Sequence, residues 1–168
     1  MARPGHLSTF DYQGLHRYFL TYCTHARVPH FVDPQTVGST LSQFLRAADT
    51  EECALLAYCF MPDHVHLLVE GMSDASRGLR FMALAKQLSG YAHHRRTRAP
   101  LWQRDSYERA LRDDEGTLAV AKYILMNPVR GGLAQAPLDY PFSGSARYSR
   151  EQLVELLASR PGEWQPQR

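Results

Sequence analysis

Cysteine is scarce in this chain. Cys23, Cys53 and Cys59 are odd in number and form no C-x-x-C pair, which excludes an even disulfide framework. Cys23 and Cys59 stand in apolar, strand-like runs where small buried thiols are common, so a reducing cytoplasm is the expected compartment. Long apolar stretches are missing too. None approaches the roughly 18 residues that suggest a membrane helix, and the opening MARPGHLSTFDYQG lacks the apolar centre of a signal peptide. The expectation is a soluble protein that is not exported and has no membrane partner. No internal repeat and no second-domain boundary is visible, so residues 1–168 read as one domain with loose ends near 1–10 and 161–168.

Net charge is small, +2, but unevenly spread. Between Arg77 and Arg112 stand nine Lys or Arg against Asp105 and Glu108, a local excess able to attract a polyanion. Arg95, Arg96, Arg98 and Arg104 could line a nucleic-acid path, with Lys86 as a further phosphate contact and Trp102 and Tyr107 as stacking faces for bases. The same residues also fit a solvated helix face and, for Trp102, a place in the core.

Periodicity supplies the architecture. His16 to Thr24 reads as a strand, and Asp33-Pro34 precedes a helix carrying Val37, Leu41, Phe44 and Leu45 to about Asp49. Glu52 to Phe60 and His64 to Glu70 read as two strands joined at Met61-Pro62-Asp63. Ser73 or Asp74 is positioned to cap a helix to about Arg95, with Leu79, Met82, Ala83, Leu84, Leu88 and Tyr91 on its apolar side. A strand is expected within Leu101 to Arg112. Asp113 or Asp114 then opens a helix with Gly116 inside it, ended by Asn127-Pro128. A last helix runs from about Arg150 to Ser159, before a loose tail PGEWQPQR. The βαββαβ order predicts an α+β, ferredoxin-like antiparallel sheet with helices on one face, extended by a C-terminal helix that carries Tyr123.

His64 and His66, two apart on a strand, leave the same face, and two neutral imidazoles can share one divalent ion. Val65 and Leu67 then point into the helix-backed core. Taken alone, H-x-H also fits a pair of surface histidines. Tyr123 and Asn127 stand at i and i+4 on one helix face. An amide oxygen suits a hard cation and a phenol can attack a polarised phosphate, yet a core tyrosine and a capping asparagine fit the same spacing. Nothing in the spacing joins the two motifs.

The blocks MPDHVHLLVE, LWQRDSYERALRDDE, YILMNPVRGGL and DYPFSGSARY, in this order, closely resemble the single-tyrosine HUH transposases, and among them the REP-associated tyrosine transposases. The resemblance covers about Asp11 to Tyr148. It implies that His64 and His66 bind a metal, Mg²⁺ or Mn²⁺, that Tyr123 is the nucleophile, and that Asn127 is the third ligand. It further implies cleavage and transfer of single-stranded DNA through a 5′-phosphotyrosine, at a folded hairpin with an adjoining single-stranded segment, by a monomer or a homodimer. Two other readings remain at this stage: a domesticated protein that holds hairpin nucleic acid without cutting it, and a metal-dependent phosphoesterase for small substrates.

Overall fold

The computed structural model describes residues 12–112, 115–160 and 162–166. Asp113 and Asp114, expected to open a helix, lie outside them. Strands β1 (Arg17–Thr24), β2 (Cys53–Met61), β3 (His64–Gly71) and β4 (Trp102–Ala110) pair antiparallel with a two-residue β5 (Ser143–Gly144), in the order β4-β1-β3-β2-β5. Helices α1 (Pro34–Thr50) and α2 (Gly78–Thr97) make the two crossovers, giving the expected ferredoxin-like plan. Beyond it come α3 (Thr117–Leu125), a single turn α4 (Asn127–Arg130) and α5 (Arg150–Ala158).

Local chemistry sets the boundaries near the site. Asp33 accepts from the N–H groups of Gln35 (3.1 Å) and Thr36 (3.2 Å) and so caps α1. Pro34 follows in the first turn, where its missing donor costs nothing. The β2–β3 hairpin closes around Pro62-Asp63, with Met61 opposite His64. Both turn carbonyls accept bonds from elsewhere: Pro62 from Phe31 N–H (3.0 Å) and Asp63 from Thr24 N–H (2.9 Å). The start of β3 is thereby fixed against the end of β1.

Strand alternation sorts the apolar side chains into two cores. Tyr18, Leu20, Tyr22, Val65, Leu67 and Val69 pack with Val37 and Phe44 of α1 and Phe81, Met82 and Ala85 of α2. Phe19, Cys59 and Leu68 pack on the other side with Val120, Ala121, Ile124 and Leu125 of α3 and Leu153 and Leu156 of α5. The helices expected on one face are α1 and α2, and the added C-terminal helices cover the opposite face. Nine residues of isolated helix are marginal in water. Burial of a large aliphatic side chain contributes about 1.5–3 kcal/mol, so packing on the sheet is what holds α3 together.

Several boundaries differ from expectation. Helix α2 begins at Gly78, because Ser73 and Ser76 build a turn instead of a cap: Ser76 Oγ accepts from Met72 and Ser73 N–H (2.8 and 2.9 Å). Gly78 is required there, since a Cβ would lie 2.6 Å from the Tyr18 ring. The buried stripe of α2 carries Phe81, Met82, Ala85, Ser89 and His93, while Leu79 and Tyr91 are exposed. Gly116 is the N-cap of α3 and not an interior break. Asn127-Pro128 does not end helical structure outright. Met126 keeps helical angles (φ −81°, ψ −9°), and Pro128 falls in the first turn of α4, where no donor is lost. The tail is docked at Trp164, whose Nε1 donates to Glu115 Oε1 at 2.8 Å.

His93 makes the α1/α2 core sensitive to acid. It is 4% exposed, neither ring nitrogen has a hydrogen-bond partner among the described residues, and its ring meets that of His30 at 4.7 Å. Burial first, then the positive charge of His30 and Arg96, pushes its pKa down to about 4. A histidine held neutral by folding contributes stability that is fully present above its ordinary value of 6.5 and is lost as pH falls towards 4. Melting temperature is expected to drop over that window in the parent and less in His93→Phe. Equal acid sensitivity of the two proteins in thermal melts at several pH values defeats this assignment.

Candidate active site

The pleat of β3 leaves Val65 and Leu67 in the α1/α2 core and turns His64 and His66 to the other face, their ring centroids 4.8 Å apart. Each Nδ1 is already engaged. His64 Nδ1 lies 2.7 Å from Asp63 Oδ1, and His66 Nδ1 lies 2.8 Å from Thr21 Oγ1. A carboxylate only accepts, so His64 carries its proton on Nδ1 and leaves the Nε2 lone pair free. The Thr21 hydroxyl can accept in the same way from His66. Arg27 Nε, 3.1 Å from Asp63 Oδ2, steadies the carboxylate behind His64. Burial first, then the proximity of His64 and the charge of Arg130, pushes the His66 pKa down to about 3. Its imidazole is therefore neutral at physiological pH, the form that ligates a metal.

Helix α3 brings Tyr123 to this face. Its ring centroid is 6.3 Å from that of His66, 6.0 Å from Phe19 and 5.2 Å from Trp164. Asn127, one turn on, donates from Nδ2 to the Tyr123 carbonyl at 3.0 Å, which leaves its amide oxygen as an acceptor. Arg130 Nη2 donates to the same carbonyl at 2.7 Å, and its guanidinium carbon stands 4.1 Å from the Tyr123 ring centroid. A hollow of about 420 Å³ opens beside the tyrosine, lined among others by Lys122, Met126, Arg130, Arg160 and Trp164. No third His, Cys, Asp or Glu completes a metal-binding group with the pair among the described residues. The histidine face thus offers two imidazole nitrogens beside the Tyr123 ring, with the Asn127 amide one helical turn beyond the tyrosine.

The family model described as "Transposase IS200 like" matches residues 13–127, a span that holds His64, His66 and Tyr123 and ends on Asn127. The chain belongs to the IS200-like transposase family. A Haemophilus influenzae protein named for the REP-associated tyrosine transposases is 24% identical over 158 residues, covering 88% of this chain and 86% of that protein. Among solved structures, a REP-associated tyrosine transposase bound to a REP hairpin superposes with a TM-score of 0.69 at 18% identity, covering 83% of this chain and 82% of that one. A Deinococcus radiodurans R1 protein named as a transposase gives 0.51 at 16% identity, over 79% and 98% of the two chains.

The chain places its candidate basic residues in several parts of the fold. Arg95, Arg96 and Arg98 lie at the C-terminal end of α2, on the opposite side of the sheet. Arg96 is bonded to Thr36 and stands 3.5 Å from Asp33 Oδ2, tying α2 to α1. Arg95 rests against Tyr91, 5.9 Å from its ring centroid. Arg104 is exposed on β4. The Lys86 ammonium donates to the carbonyls of Gln103 and Arg104, both at 3.2 Å, and ties α2 to β4. Trp102 is partly buried against the α1/α2 core, its ring stacked on Phe44 and its Nε1 donating to Ser89 Oγ at 2.9 Å. Tyr107 sits on the histidine face, 6.1 Å from Phe19.

Thr21, Asp63, Phe19, Arg130 and Trp164 were not singled out by sequence. Asp63 directly precedes His64, and Arg130 follows Tyr123 by about two helical turns, so both carried a readable signal. Thr21 and Trp164 are joined to the site only by pairing and folding. Removing the carboxylate or hydroxyl behind each imidazole, in Asp63→Asn or Thr21→Val, is expected to weaken Mn²⁺ binding by about 10- to 100-fold. Titration calorimetry of the two variants checks it, and parental affinity in both rejects the orienting role.

Proposed function

We propose that this transposase cleaves and rejoins single-stranded DNA at hairpin-forming repeats, with Tyr123 as nucleophile and Mg²⁺ or Mn²⁺ held by His64, His66 and Asn127. The observation that carries the reading is the shared position of the Tyr123 and His66 rings, 6.3 Å apart on one face of the sheet although they come from different elements. Two free Nε2 lone pairs fit a divalent cation, and the amide oxygen of Asn127 suits a hard one. When bound, the ion would neutralise charge on the scissile phosphate and orient it.

The chain's own residues supply the rest. Tyr123 Oη attacks phosphorus in line, the bond from phosphorus to the 3′ oxygen breaks, the phenolic proton passes to water, and the departing 3′ oxygen takes up a proton from water. A 5′-phosphotyrosine and a free 3′-OH result. The new diester retains much of the energy of the broken one, so a 3′-OH from another strand can reverse the step and join DNA without ATP. The likeness to a transposase solved with a REP hairpin supports hairpin DNA as the substrate class here.

The test is incubation with single-stranded hairpin oligonucleotides and Mn²⁺, followed by denaturing gels. A covalent protein–DNA adduct is expected from the parent and none from Tyr123→Phe, with hairpin affinity retained. His64→Ala, His66→Ala and EDTA are each expected to reduce cleavage by about 100-fold or more. Adducts that persist in Tyr123→Phe remove the tyrosine from the role. Tight hairpin binding without cleavage under any divalent metal replaces the reading with that of a non-cutting binder.

A further inference from the structure

Arg130 lies in what reads by sequence as a loop after the tyrosine helix, yet its guanidinium is placed against the nucleophile. It stands 4.1 Å from the Tyr123 ring centroid and spends one N–H on the Tyr123 carbonyl. It is also close enough to His66 for its charge to bear on that imidazole. Three other cations near the site are engaged. Arg109 is paired with Glu115 at 2.5 Å, Arg27 with Asp63 at 3.1 Å, and Lys122 donates to the carbonyls of Leu157 and Ser159 at 2.9 and 2.8 Å. Among the described residues Arg130 has no carboxylate partner, and it is exposed. A guanidinium has five N–H groups in a planar fork that matches phosphate oxygens, so four remain for a ligand.

We infer that Arg130 is a catalytic residue of the strand-transfer reaction: stacked on Tyr123, it holds a non-bridging oxygen of the scissile phosphate. This rests on the reading of Tyr123 as nucleophile. As the phenolic oxygen bonds to phosphorus and the 3′ oxygen departs, negative charge moves from the phenol through the equatorial phosphate oxygens to the leaving group. A cation resting on the ring face and reaching those oxygens stabilises the charge at both places without reorganising. No proton or electron is exchanged with Arg130 itself. Asn127 bonds the same Tyr123 carbonyl at 3.0 Å, so loss of the guanidinium leaves the end of α3 with a donor.

The test compares single-turnover adduct formation by the parent, Arg130→Gln and Arg130→Lys on a hairpin oligonucleotide and on the same oligonucleotide with an uncharged methylphosphonate at the scissile position. On the phosphate, Arg130→Gln is expected to slow adduct formation by about 100-fold, with hairpin affinity and melting temperature close to parental. Lysine, which keeps the charge but loses the fork and the flat stacking, is expected to recover about tenfold of that loss. On the methylphosphonate the gap between parent and Arg130→Gln is expected to shrink to a few-fold, because the charge it answers is gone. A purely buttressing Arg130 slows both substrates equally, and that outcome overturns the phosphate contact. A parental rate in Arg130→Gln overturns the proposal altogether. If Arg130→Gln does not fold, the comparison of parent with Arg130→Lys on the two substrates decides in the same way. Absence of any adduct with the parent protein sinks the nucleophile reading instead, so the two failures are told apart.

Discussion

A single phenylalanine sets the spacing of the site. Phe19, buried on β1, touches His66 at 5.5 Å, Tyr123 at 6.0 Å, Tyr107 at 6.1 Å and Trp164 at 4.9 Å between ring centroids. An aromatic ring is a rigid spacer with only two torsions to fix. It therefore defines how near α3 can approach the sheet, and with it the separation between phenol and imidazole. A smaller side chain would leave a void there, and close-packed interiors tolerate voids poorly. Site geometry in this fold is thus a matter of apolar packing before it is one of polar contacts.

Polar order is layered on that spacing from behind. The chain Arg27, Asp63, His64 and the pair Thr21, His66 fix which nitrogen of each imidazole faces outward. Trp164 completes the layer from the far end of the chain. It is held by Glu115 and lies 5.6 Å from the Arg109 guanidinium. Arg109 and Glu115 are in turn paired with each other, so one charge pair anchors the aromatic wall beside the tyrosine. These supports come from β1 and the turn after it, the hairpin turn, β4, the segment before α3 and the tail, none of which supplies the proposed reacting atoms.

What could be read from sequence follows from the range of the interactions involved. The four long strands, the hairpin at Pro62-Asp63 and the shared face of His64 and His66 were legible, because strand alternation is local and the turn residues mark it. The phase of α2 was misjudged because Ser89 and His93 occupy buried positions while Tyr91 is outside. A hydrophobicity pattern assigns those residues the other way round. Composition does not show that the Trp102 indole is bonded to Ser89 or that the Lys86 ammonium is bonded to strand carbonyls. Trp164 was illegible for a different reason. Its partners Phe19 and Tyr123 are far away in sequence, and the proline and glycine around it speak only of loop.

The two cores lie on opposite faces of one sheet. Side chains on both faces serve folding, and the face towards α3 also carries His64, His66 and the residues packed against Tyr123. Because strand residues alternate, neighbouring positions such as Val65 and His66 answer to different demands while sharing a peptide bond. Lineages can therefore rewrite one surface of the sheet, changing what it grips, without disturbing the scaffold that the other surface maintains. Such a partition is one physical basis for the divergence of proteins that keep a common frame at identities near 18%.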